Sequence, residues 1–306
     1  MTGPVIDVVV VGQIARDLVL VVDDVPGPGE SADVRRRREM LGGKGANQAV
    51  ALAQLGVRPG LVGVVGDDAV GASLVGQARR DGIDMSHVVR REDAETGLIV
   101  DVVDGSGRWR YLEDLPEPVL LTGADVAAAG RPLREAAWVS VQLQQPSEAV
   151  QAALEHAADA RVALDGAPSG TDRDAVLAAA HLVRADAREA EMLAGDRLTD
   201  ADAAVRLGAD IVRRGPSMAA LAIESGNVFV WRGGHLVLPL EDTPVADTTG
   251  AGDALTAALI ASLAGGDRPE RAARLAVAAA ADTVGRPGGR PDLDPAALRA
   301  RAGVPE

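Results

Sequence analysis

A glycine-rich turn at residues 247–253 has the residue types that phosphoryl transfer requires. The segment reads DTTGAGD and runs directly into an apolar stretch with helical spacing. Gly250 and Gly252 have no Cβ, so first-turn N–H groups can approach an anion closely, and the helix dipole favours negative charge there. Asp253 follows, where a carboxylate can take the proton of an attacking hydroxyl. We therefore predict an anion hole at Gly250, Ala251 and Gly252 beside a general base at Asp253, although a first-turn Asp can also serve only the helix dipole.

A second glycine-rich segment, LGGKGANQA at 41–49, also opens a predicted helix. Lys44 and Asn47 lie near the start of that helix, where side-chain donors and the backbone at Gly43 can meet the hydroxyls of a polyol. The segment is not a P-loop, because that motif needs Gly where Arg38 stands and Ser or Thr immediately after the lysine. A turn selected for packing would explain the glycines, but it would not explain Lys44 and Asn47.

The elements that must position these two segments alternate along the chain. Short apolar runs typical of buried parallel strands are separated by Ala-rich segments of helical length. The predicted strands are 5–11, 61–65, 138–141, 162–164, 182–183 and 219–223, and the predicted helices are 44–55, 70–80, 147–158, 201–213 and 251–263. This alternation predicts an α/β fold with a doubly wound, mostly parallel sheet flanked by helices.

Two segments, at about 15–38 and 95–113, break the alternation. Both alternate apolar and polar residues with few helix formers, and the first includes a Pro-Gly-Pro-Gly turn. They predict a small antiparallel β lid beside the main sheet. A hairpin is also predicted at 227–238. The sequence has no internal repeat and no low-complexity linker, so we interpret residues 1–306 as a single domain that contains the lid.

Composition argues against several other functions. The net charge of −14 and an aromatic content of 2% argue against a nucleic-acid partner. The absence of cysteine excludes disulfides, thiolate metal sites and cysteine nucleophiles, and it fits a reducing cytoplasm. No apolar stretch is long enough to cross a membrane, and the start of the chain is typical of a first strand rather than a signal peptide. The histidines adjoin no nucleophile motif, and the first strand is not followed by the G-x-G-x-x-G of a dinucleotide site.

The two glycine-rich segments together resemble the hallmark regions of the ribokinase-like (PfkB) carbohydrate kinases, most closely those of the ribokinase branch. The similarity extends over almost the whole chain through shorter motifs. These are Gly12 with Asp17, PGE at 28–30, VGDD at 65–68 with Gly71, ETG at 95–97 and RPGG at 286–289. The resemblance implies ATP-dependent phosphorylation of a hydroxyl group on a small sugar, either ribose or a related carbohydrate.

The resemblance also implies roles for individual residues. Asp253 would be the catalytic base, and the backbone of the turn before it would form the anion hole. The residues that would hold the sugar hydroxyls are Asp17, Gly43, Lys44 and Asn47. Gln144 stands at the place of a ribose-contacting Glu, and the lid would close over the substrate to exclude water.

On the nucleotide side, the family's magnesium-organising Asn-x-x-Glu motif is matched by Asp-Ala-Arg-Glu at 186–189. We expect Asp186 to contact ATP and Glu189 to hold Mg²⁺ through water, while Glu224 and Gly226 fall at the strand of the adenosine pocket. A monovalent cation, expected to be K⁺, would lie behind the anion hole. Its predicted ligands are Asp247 and the carbonyls of Thr249, Val284 and Gly289. Any of these acids could instead be a solvated surface charge.

The sugar site departs from the family pattern at two positions. Ala15 stands where ribokinases have an Asn, and Gln144 replaces a Glu, so hydroxyl recognition is changed there. Trp109 and Tyr111 are candidates to face the pocket, although packing is the more common role of such side chains.

Three alternatives to a ribose kinase remain open. They are a nucleoside kinase, a kinase for another sugar or a sugar phosphate, and a non-catalytic protein that binds a sugar. Scarce aromatic residues argue against a nucleobase, few basic residues near the pocket argue against a sugar phosphate, and Asp253 argues against a pure sensor. Because an antiparallel lid exposes an edge, we also expect a homodimer joined through the lid.

Overall fold

The computed structural model describes residues 6–106, 108–168, 173–198, 200–240, 245, 247–286 and 288–304. Its strands are β1 (Val8–Val11), β2 (Ala15–Val22), β3 (Val34–Gly42), β4 (Pro59–Gly66), β5 (Asp84–Arg91), β6 (Leu98–Val103), β7 (Trp109–Asp114), β8 (Trp138–Gln142), β9 (Arg161–Asp165), β10 (Leu182–Ala185), β11 (Met218–Ile223), β12 (Gly226–Trp231) and β13 (Gly234–Pro239). Its helices are α1 (Lys44–Gln54), α2 (Ala69–Arg80), α3 (Gly123–Ala128), α4 (Gly130–Glu135), α5 (Ser147–His156), α6 (Arg173–Ala178), α7 (Ala187–Ala194), α8 (Ala201–Arg213), α9 (Ala251–Ala264), α10 (Pro269–Thr283) and α11 (Pro295–Ala302).

The main sheet has the strand order β13-β12-β11-β10-β9-β8-β1-β4-β5, and all its strands from β11 to β5 are parallel. Only β12 and β13 run antiparallel to their neighbours. Val8 and Val10 pack into the apolar core on one face of the sheet, while Val9 and Val11 pack into the core on the other. A β-branched run is the expected sequence of such a doubly covered strand. The predicted doubly wound, mostly parallel α/β fold is confirmed.

The order in which strands are added to the main sheet reverses at β1, because β4 and β5 lie on one side of β1 and β8 and the later strands lie on the other. In open α/β sheets, ligands bind at the carboxyl ends of the strands beside such a reversal. This is the edge from which β2 leaves for the second sheet and at which α1 begins.

The second sheet, which we call the lid sheet, has the order β3-β2-β6-β7. It confirms a small sheet in both predicted segments, with antiparallel pairs β2/β3 and β6/β7. The two pairs are joined by a parallel pair, β2/β6, which alternation of apolar and polar residues does not reveal. The first insertion also extends further than predicted, because β3 continues to Gly42 and leads directly into α1.

Other differences from the predicted elements follow from local composition. β5 is an edge strand whose polar residues are partly exposed, so it has no apolar run to mark it. The predicted hairpin at 227–238 is present as β12 and β13, whereas Val5 of the predicted first strand lies outside the described residues. Among the helices that the structure describes, each is too short or too polar to cross a membrane.

Candidate active site

A cavity of about 420 Å³ lies between the carboxyl edge of the main sheet and the lid sheet. It brings together residues from both glycine-rich segments and from the lid. The predicted site residues that line it are Asp17, Gly43, Lys44, Asn47, Asp186, Thr249, Gly250, Gly252 and Asp253. Trp109 and Tyr111 line it too, with their rings edge to face and their centroids 6.3 Å apart. We call this the first cavity.

Asp253 lies in the first turn of α9, and the turn before it has a conformation that requires glycine. Gly250 is the N-cap with φ 75°, in the left-handed region, and a Cβ there would overlap the carbonyl oxygen of Gly289. This close approach fixes the start of the helix. Asp253 therefore has its carboxylate at the positive end of α9 and at the wall of the first cavity.

The Asp253 carboxylate is held by two amides from α1. Asn47 Nδ2 donates to Asp253 Oδ2 at 3.1 Å, and Gln48 Nε2 lies 3.5 Å from Asp253 Oδ1. Burial, followed by the nearby Asp165 carboxylate, raises the pKa of Asp253 to about 7, although Lys44 and the Asn47 hydrogen bond oppose the shift. A base with this pKa exchanges protons readily near neutral pH.

A buried polar network continues from Gln48 beneath the first cavity. Gln48 Nε2 donates to Asp165 Oδ2 at 2.8 Å, and Ser140 Oγ donates to Gln48 Oε1 at 2.7 Å. Arg184 Nη1 donates to Asp165 Oδ1 at 3.1 Å. The sequence prediction did not include Gln48, Asp165 or Arg184. A signal was present, because Asp165 and Arg184 end or nearly end apolar strands at the ligand-binding edge of the sheet.

Asp17 has the environment of a hydroxyl acceptor. Its side chain is buried, it accepts a hydrogen bond from Gly43 N, and its carboxylate lies where a Cβ of Gly42 would be. Burial, together with the Asp101 and Asp253 carboxylates, raises the pKa of Asp17 well above its ordinary value. Within the described part of the chain, Asp17 Oδ1 and Asn47 Oδ1 have no hydrogen-bond partner. Buried acceptors of this kind normally have partners, so a ligand with hydroxyl donors fits them.

On the sugar side, Gln13 lines the first cavity and the predicted Gln144 does not. Gln144 is exposed and lies outside the first cavity, where its Nε2 donates to Glu189 Oε1 at 2.5 Å. Gln13 lines the first cavity, and its buried Nε2 has no partner among the described residues. Gln142 Oε1 accepts from Gln13 N at 2.8 Å and fixes that loop. Gln13 lies in the loop before β2, and the sequence pattern alone does not show in which direction a loop side chain points.

A second cavity of about 310 Å³ meets the first one at the start of α9. Arg184, Thr248 and Gly252 line both cavities. The other walls are mainly apolar and come from β11, β12, α9 and α10, including Ala222, Asn227, Ala251, Leu255, Val277 and Val284. Neither Glu224 nor Gly226 lines this cavity. Glu224 is exposed in the turn between β11 and β12, and Gly226 begins β12 beside Leu238.

Asp186 and Glu189 form a capping box at the start of α7. Asp186 Oδ1 accepts from Glu189 N at 2.8 Å, and Glu189 Oε2 accepts from Asp186 N at 2.8 Å. This structural role explains why Asp can replace Asn at position 186, since both are good N-caps. Glu189 Oε1 lies 3.9 Å from Lys44 Nζ, and burial raises the pKa of Glu189. Mg²⁺ uses one or two carboxylates together with substrate phosphates, so Glu189 fits such a role beside a nucleotide.

Asp247 joins the loops that were predicted to surround a monovalent cation. Its Oδ1 accepts from Thr249 N at 2.9 Å and Thr249 Oγ1 at 2.7 Å, and its Oδ2 accepts from Gly288 N at 2.8 Å. Asp247 N donates to Val284 O at 3.2 Å. The predicted ligands thus come from one neighbourhood behind Gly250, although Pro287 of the RPGG motif lies outside the described residues. In the described chain, no cluster of three or more acidic or histidine side chains forms a metal site. The predicted ligands other than Asp247 are carbonyl oxygens, which K⁺ accepts.

Comparison with known proteins agrees with this geometry. The family model for pfkB family carbohydrate kinases matches residues 5–296. The chain belongs to the pfkB family of carbohydrate kinases. A ribokinase of Haemophilus influenzae is 27% identical over 93% of this chain and 94% of its own length. An ATP-dependent ribose-1-phosphate kinase of Halopiger xanaduensis is 34% identical over 91% of this chain and 92% of its own.

The fold is also that of a solved ribokinase. The structure of the Arabidopsis thaliana ribokinase complexed with ribose and ATP superposes with a TM-score of 0.79. The alignment covers 98% of this chain and 99% of that one at 23% identity. As a member of the pfkB family with kinases among its relatives, the protein is an ATP-dependent carbohydrate kinase.

Proposed function

We propose that this kinase transfers the γ-phosphoryl group of ATP to a hydroxyl of ribose or a related pentose. The observation that carries the proposal is the junction of the two cavities at Gly252, with the Asp253 carboxylate on the side of the first cavity. An acceptor in the first cavity and a nucleotide in the second would have their reacting atoms on either side of the start of α9. That arrangement fits in-line phosphoryl transfer.

The proposed step uses Asp253 as the base. The acceptor hydroxyl gives its proton to the Asp253 carboxylate while its oxygen forms a bond to the γ-phosphorus. The bond from that phosphorus to the bridging oxygen breaks, and its electron pair leaves with ADP. The N–H groups at Gly250 to Gly252 would bind the equatorial oxygens of the transferring group, where the helix dipole favours negative charge.

The polar groups of the first cavity support a polyol acceptor. Asp17 Oδ1 and Asn47 Oδ1 offer buried acceptors for hydroxyl protons, while Gln13 Nε2 and Lys44 Nζ offer donors. We propose that Gln13 supplies the amide that Ala15 cannot supply. We assign no sugar contact to Gln144, because its side chain lies with Glu189 outside the cavity.

On the other side, the second cavity suits the adenosine part of ATP, with Ala222 and Asn227 in place of Glu224 and Gly226. Asp186 lines the first cavity, and Glu189 lies beside it, 3.9 Å from Lys44 Nζ. Mg²⁺ bound near Glu189 would neutralise phosphate charge. K⁺ at Asp247 and the carbonyls of Thr249, Val284 and Gly289 would stabilise the turn that precedes the anion hole.

We also propose a homodimer through the lid sheet. Its two outer strands are β3, which is exposed from Val34 to Glu39, and β7, which is exposed along its whole length. Four consecutive arginines protect the β3 edge, whereas β7 exposes Trp109 and Leu112. Light scattering should therefore give a dimer mass for the wild type, and an edge-breaking Leu112→Pro variant should be monomeric.

A nucleoside is the second candidate acceptor. The observation that favours it is the presence of Trp109 and Tyr111 in the first cavity, in a chain with only 2% aromatic residues. A planar base could stack on these rings. A sugar phosphate is less well supported, because Asp17 and Glu113 line the same cavity and would repel a second phosphate.

The test is an ADP-release assay with Mg-ATP and K⁺ over a panel of acceptors. The panel includes ribose, deoxyribose, fructose, ribose 1-phosphate and nucleosides. Turnover is expected to be fastest with a free pentose. Preference for a nucleoside would favour the second candidate, and no turnover with any acceptor, despite measurable sugar binding, would reject the proposed reaction.

A further inference from the structure

Arg184 occupies the junction of the two cavities, and the proposed reaction has so far left it without a role. Its side chain is only 11% exposed, yet it lines both cavities. Thr248 and Gly252 are the other residues that both cavities share, so Arg184 supplies the only charged side chain of this shared wall among the residues described. A phosphoryl group that passes from a nucleotide to an acceptor must cross this place.

The guanidinium of Arg184 is oriented by two contacts on opposite sides. Nη1 donates to Asp165 Oδ1 at 3.1 Å. On the other side, the group packs directly on the anion-hole backbone, since a Cβ at residue 252 would lie 2.6 Å from Arg184 Cζ and would overlap Nη2. Gly252 is therefore needed for the arginine as well as for the anion. Within the described residues, Nη2 makes no hydrogen bond of its own.

We propose that Arg184 is a catalytic residue whose guanidinium binds the phosphoryl group during its transfer. This inference rests on the proposed function. As the acceptor oxygen bonds to phosphorus and the electron pair of the broken bond leaves with ADP, negative charge spreads over the equatorial oxygens. Arg184 would face those oxygens beside the Gly252 N–H. Its planar donors suit phosphate oxygens better than a lysine ammonium does.

Asp165 holds the Arg184 guanidinium in one position. It is fully buried and fixed by Gln48 Nε2, so it cannot follow a moving ligand. Burial opposes the charge of Arg184, but Asp165, Glu189 and Asp253 more than compensate and raise the pKa of the guanidinium. The cation is thus present before substrate binds. Preorganised charge costs no reorganisation in the transition state.

The simpler interpretation is that Arg184 only neutralises Asp165. The two roles differ in what happens when both charges are removed together. If Arg184 serves only Asp165, the double variant Arg184→Met/Asp165→Asn has no unpaired buried charge and should recover activity at a pH well above 7, where Asp253 is ionised whether or not its two charged neighbours are present. If Arg184 binds the phosphoryl group, activity stays low although the fold is restored.

The experiment compares this double variant with the wild type, Arg184→Lys and Arg184→Met. We expect the double variant to unfold within a few degrees of the wild type while kcat falls by about 10²–10³-fold and the sugar KM changes less than about threefold. Arg184→Lys should be intermediate. Arg91→Met/Asp125→Asn is the matched control, because it removes a 2.7 Å ion pair that lines neither cavity. Its kcat should stay within about twofold of the wild type.

A binding measurement separates failure of this inference from failure of the proposed function. Calorimetry with Mg-ADP alone and with Mg-ADP plus aluminium fluoride, a mimic of the transferring group, reports Arg184 without any sugar turnover. The wild type should bind the mimic much more tightly than ADP, and the double variant should lose about tenfold or more of that preference. An unchanged preference or a kcat within about threefold of the wild type would overturn the role of Arg184. A wild type that binds no nucleotide would reject the proposed function and this inference together.

Discussion

Gly250→Ala tests how strictly the turn before α9 must keep its geometry. An alanine with φ 75° costs roughly 1–2 kcal/mol. The added Cβ would also lie 2.6 Å from the carbonyl carbon of Gly289, whereas carbon atoms normally approach no closer than about 3.5 Å. The turn or its neighbour must therefore move by about 1 Å. Overpacking of this kind adds about 1–3 kcal/mol, so the unfolding free energy should fall by roughly 2–5 kcal/mol.

The same displacement moves the anion hole relative to Asp253. A 1 Å misplacement of reacting groups can cost about 10²-fold in rate, so kcat should fall by about that factor. The matched control is Gly56→Ala. Gly56 has φ 82° at the end of α1, with no atom within 4 Å of the added Cβ. It should lose only about 1–2 kcal/mol of stability and keep its activity.

The assay measures kcat by ADP release at saturating substrates, and urea unfolding of both variants measures stability. Rates are compared at a temperature where each variant is fully folded. The reasoning is refuted if Gly250→Ala has a kcat within about threefold of Gly56→Ala, since the strain of the backbone would then be unrelated to the chemistry.

Three other predictions follow from the site. Burial raises the pKa of Asp253 to about 7, and the base must be ionised to act. The value of kcat/KM should therefore rise with pH through about 7 and then level off, and a flat profile from pH 5 to about 9 would contradict the role of Asp253 as the base. Gly42→Ala should raise the sugar KM by about tenfold and leave the ATP KM unchanged, because the new Cβ would overlap the Asp17 carboxylate; steady-state kinetics with each substrate varied in turn decides the point. Asp186→Asn should keep the α7 cap and change the unfolding free energy by less than about 0.5 kcal/mol, whereas Asp186→Ala should lower it by about 1 kcal/mol. Equal urea midpoints for the two variants would disprove the capping role.

The sequence predicted those parts of the site that local motifs determine. A glycine turn that runs into an apolar helix fixes where a helix begins, so the local pattern is enough to assign Asp253, Lys44 and Asn47 to helix starts. The doubly wound sheet was predictable for a similar reason, because strands covered on both faces leave continuous apolar runs such as β1. The roles proposed for these residues remain predictions.

The parts that the sequence did not predict depend on contacts between distant segments. Arg184 and Asp165 meet because β9 and β10 are neighbours in the sheet, and Gln48 reaches Asp165 from α1. Nothing in the spacing of the three residues indicates this contact. The choice between Gln13 and Gln144 as a cavity residue similarly depends on loop direction rather than on residue type.

The central claim is that Asp253 removes the proton of the acceptor hydroxyl. Its most direct test is kcat for Asp253→Asn, measured by ADP release with the preferred acceptor from the panel, alongside ATP affinity measured by calorimetry. The asparagine preserves size, and its one carbonyl oxygen can still accept the 3.1 Å hydrogen bond from Asn47, while the longer 3.5 Å contact with Gln48 is lost. We predict a fall in kcat of about 10²–10⁴-fold with ATP affinity unchanged. Turnover by Asp253→Asn within about threefold of the wild type would contradict the claim.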